Sequence, residues 1–364
     1  MKVLVAGGGT GGHIYPALAI ARGVQDKFNA EVLYIGTSKG LESDIVPQSG
    51  FDFKTISATG LERKLSFKNV KAVWQAGKGY FEARAIIRSY LPDLVVGTGG
   101  YVCGPVVLAA SRRGIPTLIH EQNAFPGITN KLLSRFTDTV AVTFEESVKY
   151  FGDKKKVRVT GLPVRQEILN ANRVRASQKK ELKQEKLLLL SFGGSRGAYS
   201  LNKAVLDVIA RFKDEPRIQM IHVTGTLGYE DFSASIKPVK DELENVTVVP
   251  YLHNMPEVMA RADLVICRAG AATIAELTVL GVPSILIPYP YAAENHQEYN
   301  ARALVEKGAA ELILDRDLNG DTLLERVELL LGNENRLREM ALNSGAQGRP
   351  EALQDIIKLI EKIV

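Results

Sequence analysis

Cysteine, tryptophan and long uncharged apolar runs are scarce in this 364-residue chain, which has two cysteines and one tryptophan. Cys103 and Cys267 lie far apart in apolar surroundings. That usage offers neither a disulfide framework nor metal-ligand spacing and suits a reducing compartment. The start, MKVLVAGGG, carries one lysine and an apolar run too short for a signal peptide, with no cleavage site, so a cytoplasmic protein is expected. The nearest approach to a membrane span, Leu94 to Ala110, is uncharged but interrupted by Gly97, Gly99, Gly100, Gly104 and Pro105. A buried strand followed by a glycine loop fits it better. Neither sign of charge dominates: 46 Lys and Arg against 41 Asp and Glu leave a formal +5. Nothing in that balance calls for a nucleic-acid partner, although a local basic surface can still matter.

What is present is enough apolar residue, 45%, for two packed cores. Short β-branched runs alternate with longer helical stretches. KVLVAG, EVLYIG, LVVGTGG, PTLIHE and TVAVT come first; LLLLSFGG, QMIHVTG, VTVVPY, DLVICRAG and SILIPY follow. Continuous apolar strands separated by amphipathic helices imply parallel sheets covered on both faces. Because the pattern occurs twice, the chain reads as α/β, with two Rossmann-like domains, residues 1–162 and 163–345. Residues 346–364 form a C-terminal helical segment that can pack back on the first domain. The junction falls near Gly161 to Arg165, ahead of a polar, lysine-rich stretch. Parallel sheets of this kind bind ligands at their carboxyl ends, so the motifs are expected to face a central cleft.

Each half holds a strand that ends in glycines and opens a helix: VLVAGGGTGGH in the first, LLLSFGGSRGA in the second. Glycines allow close backbone approach, and a helix start presents N–H groups to an anion. Either loop suits a phosphate or merely a tight turn. Gly7, Gly9 and Gly12 satisfy a dinucleotide fingerprint, yet EVLYIGTSKG ends in Gly36 and Thr37 without the ribose-holding acid. That omission disfavours a nicotinamide-dependent oxidoreductase. Neither loop continues into Gly-Lys-Ser/Thr, which excludes a P-loop. His13 is the unusual residue of the first loop. In a first helical turn the dipole favours a neutral imidazole able to accept a proton, although a histidine capping its own turn would look the same.

HEQNAFPG, His120 to Gly127, is not a zinc site, because Ala124 replaces the second histidine of H-E-x-x-H. Glu121 is either a base or a loop-fixing carboxylate. In CRAGAATIAE, Glu276 sits on a helix after a strand, placed for ribose hydroxyls or for solvent. Asp315 to Arg326 imitates a calcium loop until Arg326 occupies the required glutamate position. Asp315-Arg316-Asp317 has the D-x-D form of metal-dependent sugar transferases, but an N-cap turn before a helix at Thr322 is favoured.

Together GGGTGGHIYPALA, GTGGYVCGP, HEQNA, GLPVR, FGGSRGA, CRAGAATIAE and ENHQEYNA, in that order, resemble the GT-B glycosyltransferases. The closest resemblance is to the MurG family, which adds N-acetylglucosamine to undecaprenyl-pyrophosphoryl-N-acetylmuramyl-pentapeptide, lipid I, in peptidoglycan synthesis. The resemblance implies an inverting, metal-independent transferase that uses UDP-N-acetylglucosamine, needs no cofactor and works at the cytoplasmic face of the membrane beside other cell-wall synthesis proteins. His13 would be the base, with Glu121 second. The donor would be held by Thr10, Gly11, Gly12, Asn123, Arg165, Gly194, Ser195, Leu252, Ala271, Thr273, Glu276 and Gln297. Gly99, Gly100 and Tyr101 would meet the acceptor. The fold does not itself choose an acceptor, so another GT-B substrate is the nearest rival, followed by a non-catalytic nucleotide-sugar binder.

Between Gly60 and Tyr90 stand seven Lys or Arg against two glutamates, with Val70, Val73, Trp74, Gly77 and Phe81 at roughly helical spacing. Such a stripe is either a core face or a surface for anionic lipid. The resemblance favours lipid, with Lys68, Lys71, Trp74, Lys78 and Phe81 as membrane contacts.

Overall fold

The structure, a computed structural model, describes residues 1–60, 67–178, 186–194, 196–237 and 243–364. It comprises two compact units, Met1–Val164 with Arg349–Val364, and Arg165–Gly348.

The first unit is built on a seven-stranded parallel sheet of β1 (Lys2–Ala6), β2 (Glu31–Gly36), β3 (Asp52–Thr55), β4 (Leu94–Gly97), β5 (Thr117–Glu121), β6 (Thr139–Val142) and β7 (Val157–Val159), in the order β3-β2-β1-β4-β5-β6-β7. Its helices are α1 (Gly11–Phe28), α2 (Glu42–Gln48), α3 (Phe67–Tyr90), α4 (Cys103–Ser111) and α5 (Ile128–Leu133). Alternation along β1 decides the layers, because successive side chains leave opposite faces of a strand. Val3 and Val5 join Ile14, Ala17, Ile20 and Val24 of α1 in one cluster. Leu4 and Ala6 join Ala83 and Ile87 of α3 and Val106 and Val107 of α4 in the other. Strands β3 and β7 escape the sequence pattern. Each is short, pairs with one neighbour and carries exposed polar residues, as edge strands do.

The second unit runs α6 (Gln166–Gln178), β8 (Leu187–Phe192), α7 (Tyr199–Phe212), β9 (Ile218–Val223), α8 (Tyr229–Ile236), β10 (Val246–Val249), α9 (Met255–Arg261), β11 (Leu264–Cys267), α10 (Ala271–Leu280), β12 (Ser284–Leu286), α11 (His296–Glu306), β13 (Ala310–Leu312), α12 (Gly320–Leu331) and α13 (Glu334–Gln347). The sheet is again parallel, in the order β10-β9-β8-β11-β12-β13. In each unit the chain order reverses at the strand that precedes a glycine loop, β1 or β8. Ligands of open α/β sheets bind at that switch point. Helix α12 starts at Gly320, two residues before the expected Thr322, because Asn319 caps it by accepting from the Thr322 N–H at 2.9 Å.

The last helix, α14 (Ala352–Glu361), belongs to the first unit. Ile356, Ile357 and Ile360 share a cluster with Ile20 and Val24 of α1. Burying each isoleucine is worth roughly 1.5–3 kcal/mol, which anchors the end of the chain. Among the described residues no helix is long and apolar enough to cross a membrane.

Two imidazoles are sealed inside these sheets. His120 on β5 lies 2.9 Å from Gly161 O, and His222 on β9 lies 2.8 Å from Ser191 Oγ. Burial lowers their pKa values to about 4 and about 3. The unfolded chain, with ordinary imidazoles, therefore binds more protons below pH 6.5, so stability declines as pH falls through that value toward the folded pKa values. The slope from His120 alone amounts to about 3 kcal/mol between pH 6.5 and 4. We expect the imidazole carbon resonances of both residues to report neutral rings at pH 5, while urea midpoints already decline. In a separate test, Ile360→Ala should destabilise the protein by roughly 2–5 kcal/mol in urea unfolding at pH 7.

Candidate active site

Between β1 and α1 the chain turns through Gly9, which is left-handed at φ +86°. His13 enters the first turn of α1, its N–H bonding Thr10 O at 3.1 Å. Its Nδ1 lies 3.1 Å from Gly8 O and 3.3 Å from Thr10 Oγ1. A carbonyl only accepts, so Nδ1 carries the proton of the neutral ring and the lone pair resides on Nε2. The loop after β4 passes along that edge: a Cβ built on Gly99 would lie 3.1 Å from Nε2, and one on Gly100 would strike Gly8 O. Gly99 and Gly100 also have φ of +105° and +80°, so glycine is required there twice over. Tyr101 lays its ring beside Gly9. Thr98, fully buried, donates from Oγ1 to His13 O at 2.8 Å. Thus His13, Gly99, Gly100 and Tyr101 converge in the first unit, with Thr10, Gly11 and Gly12 on the same turn.

Glu121 is buried at the end of β5. Its oxygens accept from Asn123 N at 3.0 Å, Asn123 Nδ2 at 3.3 Å, Gly127 N at 3.2 Å and Asn130 Nδ2 at 2.9 Å. Burial raises its pKa, against the pull of those donors. This geometry is that of a carboxylate fixing the loop that presents Asn123 and opens α5.

Sequence reasoning missed another carboxylate. No acid ends β2, but Glu42, five residues beyond Thr37, turns back from the first position of α2. It accepts from Gly9 N at 3.0 Å and from Thr37 N and Oγ1 at 3.0 and 2.8 Å. The Gly9 N–H is thereby occupied. A side chain's reach back across a turn has no signature in spacing.

In the second unit Gly194, at φ +97°, and Gly197, at φ +83°, shape the turn after β8, closed by Gly197 N donating to Gly194 O at 2.9 Å. Gly197 presses on the Thr224–Gly225 backbone, where a Cβ on Gly197 would strike Thr224 O and one on Gly225 would strike Gly197 N. In the sequence Gly225 shows only as a strand end. Ser195 lies outside the described residues. Glu276, in the second turn of α10, is bridged by Arg165 through Nε at 2.7 Å and Nη2 at 3.1 Å. Burial raises the Glu276 pKa and Arg165 opposes the rise. Ala271 and Thr273 lie half-buried in the first turn of α10, and Leu252 half-buried in the loop after β10. Gln297 accepts from Tyr289 N at 2.9 Å, after two successive left-handed residues, Glu294 and Asn295. Asp315, the first acid of the D-x-D stretch, pairs with Arg268, while Ser200 donates to it at 2.7 Å. All these segments follow carboxyl ends of strands. Among the described residues no three His, Cys, Asp or Glu side chains gather to hold a metal ion.

On α3, Ala83 and Ile87 face the core, whereas Trp74 is 67% and Phe81 65% exposed. Lys78 stands near them, 3.6 Å from Glu82. The side chains of Lys68 and Lys71 lie outside the described residues.

Two family models match the chain, the glycosyltransferase family 28 N-terminal domain over residues 3–142 and its C-terminal domain over residues 188–358. The UDP-N-acetylglucosamine–N-acetylmuramyl-(pentapeptide) pyrophosphoryl-undecaprenol N-acetylglucosamine transferase of Desulforamulus reducens is 57% identical, across 100% of this chain and 99% of the relative. Its namesake in Desulforudis audaxviator is 52% identical, across 100% and 98%. The crystal structure of Acinetobacter baumannii MurG superposes with a TM-score of 0.81 at 32% identity, covering 99% of both chains. With two parallel-sheet Rossmann-like units, both family 28 domains and full-length relatives of this identity, the chain belongs to glycosyltransferase family 28 and, within it, to the MurG family of GT-B UDP-sugar glycosyltransferases.

Proposed function

We propose that this enzyme transfers N-acetylglucosamine from UDP-N-acetylglucosamine to the 4-hydroxyl of the N-acetylmuramyl unit of lipid I, giving lipid II. The observation that carries the reading is the full-length identity to transferases of that name, combined with an imidazole whose lone pair lies on the edge facing the Gly99 loop. The acceptor oxygen attacks the anomeric carbon from the face opposite UDP. The bond to the phosphate oxygen breaks, UDP departs with the electron pair, and the configuration inverts to a β-1,4 link. His13 Nε2 receives the hydroxyl proton.

Glu121, saturated with N–H donors, acts by holding Asn123 rather than as a second base. Gly99, Gly100 and Tyr101 meet the acceptor. For the donor, the N–H groups around Gly194 and Ser195 and the start of α10 at Ala271 and Thr273 stabilise the departing diphosphate, a role that needs no metal. Glu276 takes the ribose hydroxyls, Arg165 and Leu252 the uracil, and Gln297 the sugar. Thr10, Gly11, Gly12 and Asn123 contribute from the first unit. The Arg165–Glu276 bridge supports this assignment by holding both side chains in place before the nucleotide arrives.

A lipid-linked acceptor requires work at the membrane surface. Exposed Trp74 and Phe81 flanking Lys78 on one helix face support peripheral docking on anionic lipid at the cytoplasmic side, with Lys68 and Lys71 adding charge.

Labelled sugar should pass from UDP-N-acetylglucosamine to a short-chain lipid I analogue in the presence of chelator; a rate restored only by magnesium or manganese would refute the metal-free mechanism. His13→Ala should slow transfer on the order of 100-fold or more while UDP affinity changes little. Replacing Trp74, Lys78 and Phe81 together should release the enzyme from anionic vesicles in a flotation assay without altering UDP binding. Unchanged flotation would place membrane docking elsewhere.

A further inference from the structure

Glu42 is fully buried, and no cationic side chain pairs with it among the described residues. Its room is made by missing side chains: a Cβ on Gly8 would lie 2.6 Å from Oε1, and one on Gly40 would strike the carboxylate. A buried charge without a counter-ion is expensive and persists only where N–H and O–H donors hold it. Three do here: the Gly9 N–H and both donors of Thr37.

The Gly9 N–H belongs to the same planar peptide as Gly8 C=O, and Gly8 O accepts from His13 Nδ1 at 3.1 Å. One rigid unit thus joins carboxylate to imidazole. We propose that Glu42 is a positioning residue for His13, acting through the Gly8–Gly9 peptide: it fixes the plane of that peptide, so that Gly8 O holds the Nδ1–H tautomer and orients Nε2. It also stabilises the imidazolium formed when Nε2 takes the acceptor's proton. The arrangement has the logic of an acid–imidazole pair with a peptide between its members. Aligned hydrogen bonds polarise one another, so the carboxylate makes Gly8 O a stronger acceptor as positive charge develops on the ring. No proton moves along the chain; Nδ1 keeps its own throughout.

Other features agree. The Gly8–Gly9 turn is clamped by the close approach of Gly100 to Gly8 O and by the Tyr101 ring at Gly9, so a displacement of the peptide cannot be absorbed locally. Tyr34, fully buried, donates to Gly7 O at 2.9 Å on the same turn. Burial, with the Glu42 charge adding to it, raises the Tyr34 and Tyr101 phenols above their usual range, and burial raises the Cys103 thiol to about 12. These three neighbours therefore stay neutral across the range in which an imidazole titrates.

The inference rests on His13 being the base, and the experiment separates the two claims. Transfer would be measured for the wild type, Glu42→Gln, His13→Ala and the double variant, with UDP affinity and thermal midpoint recorded for each. Glu42→Gln keeps the volume and one acceptor but removes the charge. We expect its kcat to fall on the order of 10- to 100-fold, with UDP affinity nearly unchanged. The acidic limb of its pH–kcat profile should move to lower pH, because the imidazolium has lost its counter-charge. In the His13→Ala background the same change should have no further effect, the signature of two residues acting as one unit. An equal loss in both backgrounds, or a wild-type rate and limb in Glu42→Gln, overturns the role of Glu42. Wild-type transfer by His13→Ala overturns the base assignment itself, and the relay with it. Should Glu42→Gln unfold, Thr37→Val carries the same cycle: a several-fold loss with His13 present and none without it supports the relay, and any other pattern rejects it.

Discussion

Backbone approaching backbone, closer than any Cβ permits, is the constraint on which both halves of this enzyme depend. In the first unit Gly100 presses on Gly8, and in the second Gly197 presses on Gly225. The first contact joins the loops after β1 and β4, which diverge at the switch point of their sheet, and the second joins the loops after the neighbouring strands β8 and β9. The contact in the first unit fixes the turn from which His13 projects. The contact in the second closes the turn at the start of α7. Alanine at Gly100, Gly197 or Gly225 would drive a Cβ into the facing backbone and move the loops apart, and alanine at Gly8 would drive one into the Glu42 carboxylate.

Charge is handled by the same economy of space. Glu42 and Glu121 are buried and met mainly by N–H groups of nearby loops, whereas Glu276 is bridged by Arg165. A carboxylate held by backbone donors stiffens the loop that supplies them, and a stiff loop holds catalytic groups without reorganisation when charge develops. In the first unit each of these acids fastens a loop: Glu42 the turn before His13, Glu121 the loop bearing Asn123. Burial raises the Glu121 carboxyl, which marks the opposing cost of desolvation.

Much of the fold was legible because continuous apolar runs such as Leu4 to Ala6 and Leu187 to Leu190, closed by glycines and alternating with helical stretches, read as strands buried on both faces. Edge strands β3 and β7 were not, since one-sided pairing leaves polar residues that look like loop. Of the site, the glycines, His13, Glu121 and Glu276 were visible as unusual residues at strand ends. Glu42 was invisible for a definite reason: the expected acid was sought at the end of β2, while the one present returns to the loop from the next helix. Gly225 carries no signal in the sequence, because a single glycine after a strand is common. The exposure of Trp74 and Phe81 could not be told from a core stripe until Ala83 and Ile87 were seen to fill the core position on α3.

Sequence alone determined the class of the buried elements and the family, because strand periodicity and seven ordered motifs are local properties of the chain. Only the tertiary structure decided which partner each group takes. Which donors meet the Glu121 carboxylate, which carbonyl lies against His13 Nδ1, and where Ile356 and Ile360 are buried all follow from contacts between residues tens to hundreds of positions apart or across a turn. Such contacts are chosen by the packing of layers, and local pattern carries no record of them.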